Sequence, residues 1–191
     1  IYKDSPVTAF MIASAMLQMD YSSLKALHEM LGEPAKTCFY GQLIAVQLAA
    51  FKQVEPGSVA PDFKGATLNG DTLSLHGIKA KVKLVDFWAS WCGPCRRENP
   101  NVRKIYQKYH DKGLEIIGVS LDEKKQEWAK NDKIAWPNIS DLKGKNSEIA
   151  ARYFIRGIPH TILLDEDNRI VAKNLRGKAL EKKIAELLGG K

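Results

Sequence analysis

The residues best suited to chemistry are Cys92 and Cys95, which are separated by Gly93 and Pro94. They follow the apolar run 83–88, which predicts a buried strand, and precede a stretch with a helical pattern. The first thiol is therefore expected at a helix N-terminus, where unpaired N–H groups and the helix dipole favour a thiolate. The second thiol lies one turn further along and can attack a disulfide formed by the first. This spacing predicts reversible thiol–disulfide chemistry.

The same spacing also occurs in zinc sites and in structural disulfides. Zinc needs four ligands, and a Cys-x-x-Cys pair normally requires a second pair of Cys or His. Cys38 is the remaining cysteine and is expected to be a partly buried free thiol, while the histidines are scattered singly, as His28, His76, His110 and His160. A structural bridge would close a very short loop and add little stability. We therefore expect neither a metal nor a bound cofactor.

The composition is that of a globular chain with a moderate positive charge. Among 191 residues, 45% are hydrophobic and 27% charged, and the formal net charge is +7. Lysines alternate with acids, as in 122–127, which is typical of solvated helices and not of nucleic-acid binding. No apolar run approaches the roughly 20 residues that span a bilayer. Because the chain begins at Ile1, we expect a processed or truncated piece, and the absence of a signal peptide leaves export open.

Residues 1–53 predict a small all-helical segment of three helices. The first is expected to begin at Pro6, since proline is favoured in the first turn of a helix. The second is expected over 22–31, and the third over 36–52 after a break at Glu33-Pro34. Short connections between the three indicate a helical hairpin or bundle. The segment has no residues of catalytic character.

A domain boundary is predicted between residues 53 and 54, where the composition changes. The stretch 54–63 contains two prolines and a glycine, which is typical of a linker or an extended segment. A hairpin is expected next, because Asn69-Gly70 is a strong turn signal between the strand-like runs 63–68 and 71–75. Residues 54–191 therefore form the second predicted domain.

This second domain is predicted to be α/β, with a central mixed sheet flanked by helices. Buried strands are expected over 81–88 and 114–121, separated by a helix over 92–109 that Pro100 should kink. This alternation indicates parallel βαβ units. Further helices and strands are expected at 123–131, 147–153, 161–164, 169–173 and 178–188.

Two segments carry a resemblance to a known superfamily. Residues 85–95, VDFWASWCGPC, are similar almost throughout to the active-site segment of the thioredoxin superfamily. The stretch 156–159, RGIP, resembles the cis-proline loop that faces the thiols in that superfamily, and Pro100 resembles its helix-kinking proline. The resemblance implies a thioredoxin-like fold preceded by the small helical segment.

The nearer resemblance is to the envelope branch of the superfamily, the thiol–disulfide oxidoreductases similar to TlpA and ResA. It is carried by residues 59–63, by the turn at Asn69-Gly70 and by residues 95–100. The thioredoxin-like match covers about residues 57–191. The upstream helices resemble those that precede this domain in modular envelope lipoproteins of Bacteroidetes-type bacteria.

The resemblance implies a role for each matching residue. Cys92 would be the exposed attacking thiol, and Cys95 the buried thiol that resolves the mixed disulfide. Asp86 would be the buried acid that accepts a proton from Cys95, and Glu98 the acid typical of the envelope branch. The substrate would dock on a surface made by Trp91, Gly157, Ile158 and Pro159.

One position departs from the superfamily. Ordinary thioredoxins carry a lysine on the strand next to the buried acid, and Gly118 stands at that place here. An acid–lysine pair is therefore not expected in this chain.

The resemblance implies reduction of protein disulfides in the periplasm or cell envelope, and it also implies membrane tethering upstream of the given sequence, as in a lipoprotein. An electron-donating thiol protein or a membrane redox carrier would regenerate the dithiol. The alternative is a redox-sensing or partner-binding module with the same fold. Peroxide reduction is disfavoured, because the peroxiredoxin cysteine usually follows a threonine by three residues and Ala89 stands there.

Overall fold

The computed structural model of the protein describes residues 2–131 and 134–189. The chain forms two compact units, Ile1–Ser58 and Val59–Lys191. The division lies five residues beyond the predicted boundary, because consecutive turns keep the linker with the first unit. In these turns the N–H of Val54 bonds to the carbonyl of Phe51, and the Ser58 hydroxyl donates to the carbonyl of Lys52 over 2.6 Å.

The first unit is helical, as predicted, but it is divided differently. Its helices are α1 (Pro6–Ala15), α2 (Tyr21–Glu29), α3 (Glu33–Thr37) and α4 (Phe39–Lys52), with a 3₁₀ turn over Met16–Gln18. The predicted break at Glu33-Pro34 is wrong, because proline fits the first turn of a helix and here helps to begin α3. Cys38, partly buried and outside any disulfide, is extended and separates α3 from α4. Gly41 permits this sharp bend, since a Cβ there would lie 2.2 Å from the Ala35 carbonyl oxygen.

The second unit has a seven-stranded mixed sheet in the order β2-β1-β5-β4-β3-β6-β7. The strands are β1 (Lys64–Ala66), β2 (Thr72–Ser74), β3 (Val82–Trp88), β4 (Leu114–Ser120), β5 (Asn138–Ser140), β6 (His160–Asp165) and β7 (Ile170–Lys173). The helices are α5 (Gly93–Tyr109), α6 (Lys125–Asn131), α7 (Glu148–Arg152) and α8 (Gly177–Leu187). This is the predicted thioredoxin-like α/β fold.

Strand β3 lies inside the sheet, between β4 and β6. It runs parallel to β4 and antiparallel to β6, and all seven of its residues are buried. The predicted hairpin is also present: β1 and β2 pair antiparallel, and Gly70 adopts a φ of 93°, which a side chain would disfavour. Strand β5 was not predicted, since its three residues are too few to show a period.

Helix α5 packs on the sheet through an apolar cluster that β3 and β4 share. The cluster joins Leu84 and Ile116 to Val102, Ile105 and Tyr106 of the helix. The C-terminal half of the helix that follows the cysteines is therefore anchored on the sheet. Among the described residues, no helix is long and apolar enough to cross a membrane.

Candidate active site

The two cysteines lie where strand β3 passes into helix α5. Cys92 is the N-cap of α5, and its Sγ accepts the N–H of Cys95 over 3.2 Å. The two residues are joined by a disulfide, with their Cα atoms 5.3 Å apart. The prediction that they form a pair at the first turn of a helix is confirmed.

The prediction that Cys92 is exposed is wrong for the disulfide form. Cys92 is only 4% exposed and Cys95 2%. The Cys92 sulfur is bonded to Cys95 and directed at its N–H, so it faces the first turn of the helix and not solvent. The neighbouring Trp91 is 64% exposed and marks the place where the site reaches the surface.

A buried acid that the sequence did not single out fixes the loop between β3 and Cys92. Asp122 is 1% exposed and accepts the N–H and hydroxyl of Ser90, at 3.0 and 2.6 Å, and the hydroxyl of Ser120 at 2.7 Å. These bonds hold the residues before Trp91 against the end of β4. The available signal was an acid directly after a buried parallel strand, a usual place for functional groups.

Asp86 occupies the middle of β3, opposite Gly118 of β4 and Thr161 of β6. It is 5% exposed. The pKa of Asp86 is raised to about 7, chiefly by burial and in addition by the negative charge of Glu98, while Arg176 acts in the opposite direction. A carboxyl group in this state exchanges its proton near neutral pH.

Gly118 pairs with Asp86, so the β4 residue beside the buried acid has no side chain. A Cβ at Gly118 would lie 1.8 Å from Oδ1 of Asn138. That oxygen accepts the indole N–H of Trp88 over 3.0 Å and is fixed in place. The space where a β4 side chain would approach Asp86 is thus filled from β5.

Glu98 lies on α5 and joins two helices. Its Oε1 accepts the side-chain amide of Asn101 and the backbone N–H of Gly177, both over 2.8 Å. Gly177 begins α8, so Glu98 satisfies an N–H group at a helix N-terminus, where negative charge is favourable. It also acts electrostatically on Asp86.

Three of the four predicted docking residues line one cavity. Trp91, Gly157 and Ile158 border this cavity, whose volume is about 200 Å³. Its other walls include Leu121, Lys145, Ala150, Ile155 and Arg156. The peptide from Ile158 to Pro159 is cis. The cavity is thus a mainly apolar recess with basic side chains among its walls.

His160 follows Pro159 and is largely enclosed. Its ring meets Phe87 edge to face at 6.3 Å, and its Nε2 is buried with no hydrogen-bond partner among the described residues. The pKa of His160 is lowered to about 4, chiefly by burial and in addition by the charges of Lys173 and Arg176. The imidazole is therefore neutral at physiological pH.

Comparison with known proteins gives this arrangement a family. Residues 56–173 match the AhpC/TSA family. The chain is 30% identical over 140 residues to the thiol-disulfide oxidoreductase ResA of Bacillus thuringiensis subsp. konkukian, covering 72% of this chain and 79% of the relative.

Solved structures agree with the sequence matches. The thioredoxin domain of a thiol-disulfide oxidoreductase from Bacteroides vulgatus is 39% identical, with a TM-score of 0.65, over 70% of this chain and 98% of that one. A thiol:disulfide interchange protein from Bacteroides sp. is 38% identical, with a TM-score of 0.65, over 72% and 93%. With its Cys92–Cys95 pair at the N-terminus of α5, the chain belongs to the thioredoxin-like AhpC/TSA family, among the thiol–disulfide oxidoreductases.

Proposed function

We propose that the protein reduces disulfides in other proteins by dithiol exchange through Cys92 and Cys95. The observation that carries this proposal is a cysteine pair at the N-terminus of α5 with a buried carboxyl group, Asp86, of pKa about 7 on the adjoining strand. The helix terminus stabilises the thiolate of Cys92. The carboxyl group supplies a proton acceptor for the second thiol.

The exchange proceeds in two steps. The Cys92 thiolate attacks one sulfur of the substrate disulfide, forming a mixed disulfide and releasing the other sulfur as a thiolate. Cys95 gives up its proton and attacks Sγ of Cys92, which releases the second substrate sulfur. The substrate gains two electrons, and the enzyme is left as the Cys92–Cys95 disulfide. A dithiol protein or a membrane redox carrier then returns two electrons, so no bound cofactor is required.

Asp86 takes the proton that leaves Cys95. Only the ionised carboxylate can accept it, and the raised pKa brings ionised and neutral forms close in energy near pH 7. Glu98 contributes by charge, since its carboxylate raises the pKa of Asp86 from the adjoining helix.

The substrate docks across Trp91, Gly157, Ile158 and Pro159, next to the cavity described above. Ile158 precedes β6, and its backbone groups can pair with an extended substrate segment. The exposed indole of Trp91 offers a large apolar contact at the edge of the site.

The site of action is the cell envelope. The matches to ResA of Bacillus and to a thiol:disulfide interchange protein of Bacteroides support an extracytoplasmic role, and upstream membrane tethering is part of this proposal. Protein disulfides are the substrates, and a thiol protein or membrane carrier is the electron donor.

Two cysteine variants test the proposal. With insulin as a disulfide substrate, Cys92→Ser should abolish turnover, because no thiolate begins the exchange. Cys95→Ala should instead accumulate a mixed disulfide between Cys92 and the substrate, visible by mass spectrometry and absent from the double variant. Retained turnover by Cys92→Ser would overturn the mechanism, and wild type without turnover but with partner binding would favour a redox-sensing module.

A further inference from the structure

The segment from the end of β7 to the first residue of α8, residues 174–177, contacts the strand that borders Asp86. The N–H of Asn174 bonds to the carbonyl of Thr161, and the hydroxyl of Thr161 bonds to the carbonyl of Leu175, both over 2.8 Å. Thr161 is the β6 partner of Asp86. The segment is therefore held at the level of the buried acid.

The next two residues reach two other parts of the site. The guanidinium of Arg176 donates to the carbonyl oxygen of Pro159, and the N–H of Gly177 donates to Glu98. One short segment thus bonds to the cis-proline loop, to β6 and to α5.

The charges around Asp86 come from two elements. Glu98 acts on its pKa from α5, and Arg176 acts on it from the segment before α8. Its neighbours in the sheet, Gly118 and Thr161, do not titrate. Cys92 and Cys95 are joined in the disulfide form and do not titrate in it. Arg176 is therefore the cation acting on this acid within the described part of the chain.

We propose that Arg176 is a positioning residue that fixes the Pro159 carbonyl and supplies the countercharge to the Asp86 carboxylate. This inference rests on the function proposed for the site. A planar guanidinium suits both tasks, because it holds a directed hydrogen bond while it keeps its charge at every accessible pH. Arg176 thereby links the loop that receives substrate to the group that receives the proton.

The first test is titration of the Asp86 carboxyl in the oxidised protein by carbon-detected NMR, which needs no turnover. Arg176→Gln should raise the titration midpoint by about half a pH unit, a modest shift because Arg176 is solvent-exposed and its charge is partly screened. Lys178→Gln, which removes the same charge from an exposed position two residues away, should leave the midpoint unchanged. An unchanged midpoint in Arg176→Gln would overturn the inference.

A second variant separates charge from shape. Arg176→Lys keeps the charge but not the planar fork, so it should restore the midpoint to within about 0.2 pH unit of wild type. The KM of Arg176→Lys for a protein disulfide should be about threefold above the wild-type value, since the Pro159 carbonyl is held less firmly. If Arg176→Lys shifts the midpoint as far as Arg176→Gln does, the charge assignment is wrong. Failure of the proposed function would appear separately, as absence of turnover in the wild type.

Discussion

The two sides of the proposed site differ in their exposure to water. The inner side is formed by Asp86, which is 5% exposed and whose strand partners, Gly118 and Thr161, carry no charge. The outer side is formed by Trp91, which is 64% exposed, and by the recess that it borders. Burial on the inner side raises the pKa of a carboxyl group, whereas the outer side leaves backbone and apolar surface accessible.

This difference assigns the two halves of the exchange to different places. A proton acceptor that works near pH 7 requires burial, since desolvation is what raises the pKa of a carboxyl group. A docking surface for many protein segments requires open backbone and apolar contact. In the proposed exchange the cysteine pair uses both, so substitutions on the inner side should alter rate and pH dependence, and those on the outer side should alter substrate choice.

The largest effect is expected on the inner side, from Asp86→Asn. An amide cannot accept the proton of Cys95, so release of the second substrate thiol should slow about 100-fold at pH 7.5. The wild-type rate of this step should rise with pH through about 7, as the Asp86 carboxylate forms. Rapid-mixing measurements of thiol release over pH 5.5–9 check both points, and equal rates for the two proteins would remove Asp86 from the mechanism.

Asp86→Asn should also be more stable than the wild type. A measured gain in stability would exclude misfolding as the cause of its slow rate. The pKa of Asp86 is raised from 3.8 to about 7, so between these values the folded state binds a proton that the unfolded state does not. The free energy of unfolding of the wild type therefore falls as pH rises through this window. Urea unfolding of the disulfide forms should show Asp86→Asn gaining about 4 kcal/mol over the wild type between pH 4 and 8.

The inner side was largely predictable from the sequence, because its signals are local. Cys92 and Cys95 have a fixed spacing at a strand–helix junction, and Asp86 is an acid within an apolar run. Asp122 had only the weaker signal of an acid after a buried strand, and Arg176 could not be found from local signals. Their partners, Ser90 and Pro159, are 32 and 17 residues away in the chain, and sheet topology alone brings them together.

The boundaries of the helical unit show a similar limit. Pro34 can end one helix or begin the next, and the sequence favours neither without knowledge of what Gly32 and Cys38 contact. The close approach of α4 to α3, where a Cβ at Gly41 would lie 2.2 Å from the Ala35 carbonyl oxygen, is a tertiary feature that no periodicity encodes. Clear hydrophobic periodicity predicted the long helices and strands, whereas tertiary contacts determined the short ones.

An intermediate effect is expected on the outer side, from Gly157→Ala. A Cβ at this position has no heavy atom within 4 Å, and the backbone is outside the left-handed region, so the fold itself does not require glycine. The added methyl group would instead obstruct a substrate segment approaching Ile158. We expect kcat/KM for reduced insulin formation to fall about tenfold.

The control for Gly157→Ala uses the same protein with another substrate. A small aliphatic disulfide does not lie along the loop, so its turnover should be unchanged, as should the melting temperature. Equal losses on both substrates would place Gly157 on the chemical step and not on docking.

The smallest effect should come from Glu98→Gln, which changes one charge on the inner side and keeps the contacts. The amide oxygen can still accept the N–H of Gly177, so α5 and α8 remain joined. Loss of the negative charge should lower the pKa of Asp86, moving the midpoint of the pH–rate profile down and changing the rate at pH 7 about twofold.

Glu166→Gln, at an exposed position in the turn between β6 and β7, removes an equal charge and should not move the midpoint. Because Arg176→Gln should move it upward, opposite shifts from the two variants would identify charge as the cause, whereas general loosening of the site would move both in one direction.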